Sequence, residues 1–116
     1  LASNQNAQVT SETDHWEQMA KTPHFVPKYT LRTLGSIEDL VHSSKEIAPR
    51  ITKPTLILYP GKDVFTRPDQ VDKFFGNLKS KDKKKHLFKE SHHLLAFDKE
   101  KERLFEIVEK WINKRL

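Results

Sequence analysis

Pro54-Thr55-Leu56-Ile57-Leu58-Tyr59-Pro60-Gly61-Lys62-Asp63 is an apolar run that ends in a tight turn, and the turn delivers a carboxylate. Leu56, Ile57 and Leu58 are consecutive, with no polar alternation. Such a run suits a strand buried on both faces, as in a parallel sheet covered by helices. Pro54 stands at its start, where a missing N–H is tolerated. Pro60-Gly61 ends it, so the strand is expected over 51–59. Further on, Ser91-His92-His93 follows a second short strand, His86-Leu87-Phe88. A strand-end acid followed by a strand-end histidine suggests two-thirds of a hydrolytic triad.

Helical patterns surround these strands. Ser36, after Gly35, is expected to cap a helix, with Asp39 in its first turn. Ile37, Leu40, Val41 and then Ile47 or Ala48 form its apolar stripe, and Pro49 stops it. Thr66 is expected to cap a second helix, with Pro68 in its first turn. There Val71, Phe74, Phe75 and Leu78 fall on one face. Asp98 is expected to cap a third, whose stripe is Leu104, Phe105, Ile107, Val108, Trp111 and Ile112. Glu106 and Lys110 make an i,i+4 pair on its wet side. Helix, strand, helix, strand, helix is the alternation of an α/β fold with parallel strands. Two parallel strands make a poor sheet, and the first is apolar enough to be central. A neighbour is therefore expected on its other side, and this sequence does not contain it.

Of the 116 residues, 35% are hydrophobic and 32% charged. Those values allow one domain with a modest core unless another segment completes it. Twenty-one Lys and Arg exceed sixteen Asp and Glu, and the pI is about 9.5. That balance permits attraction to acidic surfaces without demanding it. The basic run over 79–85 has no interleaved aromatic residue to stack on bases. It reads as a solvated loop, and no nucleic-acid partner is expected. No run approaches the length of a membrane span. Without cysteine there is no disulfide framework and no cysteine metal site. Residues 1–14 are polar and read as a loose or disordered segment. Trp16 and Met19 have helical spacing, and Pro23 and Pro27 make an irregular connector over 22–33. With no initiator Met, the chain is expected to be a piece or processed product of a longer protein.

The chemistry of Asp63 and His93 rests on position. Functional groups gather at the carboxyl ends of strands in open α/β sheets. A carboxylate there can hold an imidazole in one tautomer and stabilise its protonated form. The imidazole can take a proton from a nucleophile and return it to a leaving group. Acid before histidine matches the order Ser…Asp…His of one large hydrolase class. His86, His92 and His93 make a poor metal set, because adjacent strand residues point to opposite faces and no carboxylate has ligand spacing to them.

From about Ser36 to Trp111 the sequence resembles the C-terminal part of an α/β-hydrolase. It is most similar to the carboxylesterase and monoacylglycerol lipase type, the serine aminopeptidase group. The resemblance lies in the Pro-Thr-Leu-Ile-Leu strand, the Pro-Gly-Lys-Asp turn, Ser91-His92-His93, and Leu94-Leu95-Ala96-Phe97-Asp98 before the last helix. It implies that Asp63 is the triad acid and His93 the triad histidine. His92, which replaces the usual glycine, is the alternative. Residues 1–35 would be part of the cap or lid region and its connector, with Trp16, Met19, Phe25 and Tyr29 as candidates to line an acyl pocket. Residues 36–116 would be the C-terminal part of the core. The family's serine stands in Gly-x-Ser-x-Gly. None of Gly35, Gly61 and Gly76 frames a serine that way. The resemblance thus implies an ester or lipid substrate, no cofactor, and an N-terminal half of the fold that supplies the nucleophile. Without it the chain would be inactive. The competing expectation is a non-catalytic interaction module that keeps the half-fold.

Overall fold

A computed structural model of the protein describes residues 2, 3, 8–12, 14, 17, 18, 21, 23 and 28–116. Two short strands, β1 (Ala2–Ser3) and β2 (Lys28–Tyr29), pair antiparallel. Helix α1 (Leu31–Ile47) runs through a 3-10 turn (Ala48–Arg50) toward β3 (Thr55–Pro60). Helix α2 (Pro68–Asn77) leads to β4 (Lys83–Phe88). A second 3-10 turn (Leu95–Phe97) precedes α3 (Lys101–Asn113). Strands β3 and β4 are parallel, in register from Thr55↔Lys83 to Pro60↔Phe88. The architecture is α/β with parallel strands flanked by helices, as the alternation predicts.

Among the described residues, β3 pairs with β4 alone. Its other edge is open, consistent with the expected missing neighbour. A cavity of about 520 Å³ is lined by Val41 of α1, Leu56 and Leu58 of β3, and Val71 and Phe74 of α2. The core is small. Among the described residues, Ala48, Tyr59, Val71, Leu78, Phe88 and Leu104 are its buried apolar members. No residue of α1 is buried, and Ile37, Leu40 and Val41, its predicted stripe, stand exposed.

Several local expectations need correction. Helix α1 opens at Leu31, not at Ser36. Thr30 is the cap, and its Oγ1 accepts the Thr33 N–H at 3.1 Å. Gly35 is tolerated inside the helix, where the Ser36 hydroxyl donates back to the Arg32 carbonyl at 3.1 Å. Residues 31–33, expected in the connector, are therefore helical. Helix α2 is capped at Arg67 and not at Thr66, with the Arg67 N–H donating to Gln70 Oε1 at 2.9 Å.

The basic run is not all loop, because Lys83, Lys84 and Lys85 belong to β4. The Lys83 ammonium donates to the Phe75 and Leu78 carbonyls at 2.9 and 2.8 Å, at the C-terminal end of α2. Helix-end carbonyls left without partners attract a cation there. Lys85 pairs with Asp72. On α3, the predicted Glu106–Lys110 pair is present at 3.7 Å.

The segment expected to be loose is anchored where it is described. The Leu94 N–H donates to the Val9 carbonyl at 2.8 Å, and the buried Thr10 hydroxyl donates to the Phe97 carbonyl at 2.7 Å. Trp16, Met19 and Phe25 lie outside the described residues. Tyr29 is half-buried in β2.

Candidate active site

The site begins where β3 ends. Gly61 follows Pro60, and its N–H donates to the Phe88 carbonyl at 2.7 Å. The Lys62 N–H donates to the Ser91 carbonyl at 3.0 Å. These bonds lay the turn after β3 against the loop after β4. A side chain at Gly61 would collide with the Lys89 backbone, at 2.8 Å from its carbonyl oxygen. Glycine is needed here for close approach of two backbones and not for a left-handed conformation, which no described residue adopts.

The turn presents Asp63 and the loop presents His93. His93 Nδ1 lies 3.0 Å from Asp63 Oδ2. A carboxylate only accepts, so Nδ1 carries the proton and Nε2 is left with a lone pair in the neutral ring. Asp63 Oδ1 accepts the Phe65 N–H at 2.8 Å. The Asp63 side chain is 3% exposed and the His93 side chain 45%. The acid is thus covered while the imidazole is accessible. Phe65 stands edge-on to the His93 ring, with centroids 5.1 Å apart and planes at 72°. Phe65 also lines the cavity beside β3. Val64 and Phe65 are exposed apolar residues of the turn after β3.

His92 points elsewhere. Its Nδ1 lies 3.0 Å from Asp98 Oδ2, and its side chain is 12% exposed. Asp98 is fully buried and does not cap α3 as expected. Its Oδ2 accepts the His92 N–H at 2.7 Å and its Oδ1 the Lys99 N–H at 2.7 Å. Burial by itself would raise the Asp98 pKa. Hydrogen bonds from the two amides, the Ser11 hydroxyl and the His92 ring outweigh it and lower the value to about 2. Glu100 holds the other side of the loop. Its Oε2 accepts from the buried Ser91 hydroxyl at 2.9 Å and from the Glu90 N–H at 3.0 Å.

Geometry therefore joins Asp63 to His93 and leaves His92 with Asp98. Sequence reading missed Phe65, Asp98 as a loop clamp, Glu100 and Ser11. Asp98 looked like a cap because it stands just before an amphipathic run. Ser11 gives no local signal, being 81 residues from His92.

Two parallel strands flanked by helices, with Asp63 and His93 just past their carboxyl ends, are an arrangement of the α/β-hydrolase kind. Comparison with known proteins supports that class. The family model described as serine aminopeptidase, S33, matches residues 1–100, and the chain belongs to that family. A crystal structure of monoacylglycerol lipase from Paleococcus ferrophilus superposes with a TM-score of 0.79 at 24% identity. The match covers 89% of this chain and 40% of that one. A soluble variant of monoglyceride lipase from Saccharomyces cerevisiae, solved in complex with a substrate analog, gives 0.78 at 19% identity, covering 93% and 41%. The chain thus spans about 40% of the length of either lipase structure. No curated protein matches it. No helix among the described residues is long and apolar enough to cross a membrane.

Proposed function

We propose that this chain carries the acid and the base of a Ser–Asp–His ester hydrolase, with the nucleophilic serine on a part of the fold outside these 116 residues. The observation that carries the reading is the covered Asp63 carboxylate 3.0 Å from Nδ1 of the accessible His93. Asp63 holds the Nδ1–H tautomer, so Nε2 takes the serine proton as the serine attacks the ester carbonyl. The Asp63 charge stabilises the imidazolium that forms. His93 then returns the proton to the departing alcohol, leaving an acyl-enzyme, and activates water in the same way to release the acid.

The substrate class is a carboxylic ester with an acyl chain or another apolar acid part. Exposed Phe65 against the His93 ring, and the similarity to two lipase structures, support it. Residues 1–35 belong to the cap region and 36–116 to the core. The strand and helix that complete the sheet lie on the open edge of β3.

Turnover of a short-chain chromogenic ester tests the proposal. The 116-residue chain alone is expected to be inactive, and activity is expected when the N-terminal half is joined to it. In the active form, Asp63→Asn is expected to lower kcat about 10⁴-fold, and His93→Ala comparably. His92→Ala should stay within about tenfold. Turnover unchanged by His93→Ala would sink the assignment and leave the interaction-module reading.

A further inference from the structure

The His93 ring is half-exposed and touches Asp63 and the edge of Phe65. Little packing holds it, so its place is set by the backbone that carries it. That backbone is secured on both sides of residue 92. On one side Ser91 is buried and tied to Glu100. On the other, the fully buried Asp98 accepts the His92 N–H at 2.7 Å and the Lys99 N–H at 2.7 Å. One carboxylate thereby bridges the two ends of the loop 92–99. The Leu94 N–H, just past His93, is held by the Val9 carbonyl at 2.8 Å.

We infer that Asp98 is a positioning residue that clamps the His92 and Lys99 amides and thereby holds the His93 imidazole against Asp63. The inference rests on the reading of His93 as the proton carrier. It gives the work to the carboxylate and the two amides, and not to the His92 ring. A charged acceptor shortens and strengthens amide bonds of this kind. In a covered site, an amide left without its acceptor cannot turn to water instead. The loop therefore has one favoured arrangement while Asp98 is ionised. The lowered Asp98 pKa agrees with that geometry, since its hydrogen bonds outweigh burial.

The test reads the His93 tautomer by long-range proton–nitrogen NMR on ¹⁵N-histidine-labelled protein, independently of turnover. In the wild type, His93 is expected in the Nδ1–H form near neutral pH. Asp98→Asn replaces one acceptor oxygen with an NH₂ that cannot accept. His93 is then expected to lose its fixed tautomer and show the mixture of a free imidazole. His92→Ala keeps the amide and should leave His93 in the Nδ1–H form. A folded Asp98→Asn protein with His93 still fixed overturns the inference, as does release of His93 by His92→Ala. Should Asp98→Asn fail to fold, hydrogen exchange of the wild type decides. The His92 and Lys99 amides must exchange far more slowly than unbonded amides, and exchange at open-loop rates overturns the clamp. A wild-type His93 with mixed tautomers overturns the clamp together with the Asp63–His93 pairing. Turnover insensitive to His93→Ala, with the tautomer results as expected, would instead count against the proposed reaction alone.

Discussion

Replacing Gly61 with alanine tests how the turn and the loop are held together. The added Cβ would lie 2.8 Å from the Lys89 carbonyl oxygen, 2.9 Å from its Cα and 3.2 Å from its carbonyl carbon. All three are backbone atoms, so no side-chain rotation relieves the clash. Ordinary contact between carbon atoms begins near about 3.5 Å, so the turn must retreat by roughly half an ångström. Retreat stretches the Gly61–Phe88 and Lys62–Ser91 backbone bonds, now 2.7 and 3.0 Å. Overpacking costs about 1–3 kcal/mol and a weakened backbone bond up to about 1 kcal/mol, so the loss is about 1–4 kcal/mol.

Gly35→Ala is the matched control. Gly35 lies within α1 with nothing within 4 Å of the new Cβ. Alanine there should stabilise by about 0.5–1 kcal/mol. Urea unfolding separates the two. For an m-value of about 2 kcal/mol/M, Gly61→Ala lowers the midpoint by about 0.5–2 M while Gly35→Ala raises it slightly. The retreat also carries Asp63 away from His93, so the His93 tautomer should loosen in Gly61→Ala and not in Gly35→Ala. A Gly61→Ala midpoint equal to the wild type would refute the argument that close backbone approach fixes the site.

Two further outcomes follow from named contacts. The hydrogen bonds to Asp98 hold its pKa at about 2 in the folded chain against the usual 3.8, a difference equivalent to about 2–3 kcal/mol. Because the folded value is the lower one, that stability is present above about pH 4 and is lost as pH falls toward 2. Urea midpoints measured from pH 5 to 2 should fall accordingly, and less steeply in Asp98→Asn. Lys83→Met removes the ammonium that bonds the Phe75 and Leu78 carbonyls, and thermal unfolding should show a loss of about 1–3 kcal/mol. Lys84→Met, on an exposed residue of the same strand, should change stability by less than about 0.5 kcal/mol.

Much of the fold was legible because its signals are local. The unbroken apolar run of β3 marked a strand, although Leu56, Ile57 and Leu58 are only half-buried, and the spacings in α2 and α3 marked helices, although Phe105 and Ile112 of the α3 stripe stand exposed. Boundaries were less legible. Gly35-Ser36 looks like a helix start, yet Thr30 opens α1 earlier, since one helical glycine costs only about 1 kcal/mol. Three lysines in a row look like a loop. They are strand because Lys83 has helix carbonyls to bond and Lys85 has Asp72, neither of which is a sequence neighbour.

The sequence by itself determined the kind of sheet, the turn that ends β3, and the order of acid before histidine. Runs, periodicities and chain order carry that information, and each is read within a few residues. Only the tertiary structure decided which histidine meets which acid. His92 and His93 are adjacent and chemically identical, so nothing local distinguishes them. The choice is made by the turn after β3, which brings Asp63 to one histidine, and by the buried Asp98, which takes the other. Such pairings depend on which segments the fold brings within about 3 Å of each other, and a hydrogen bond has no reach beyond that.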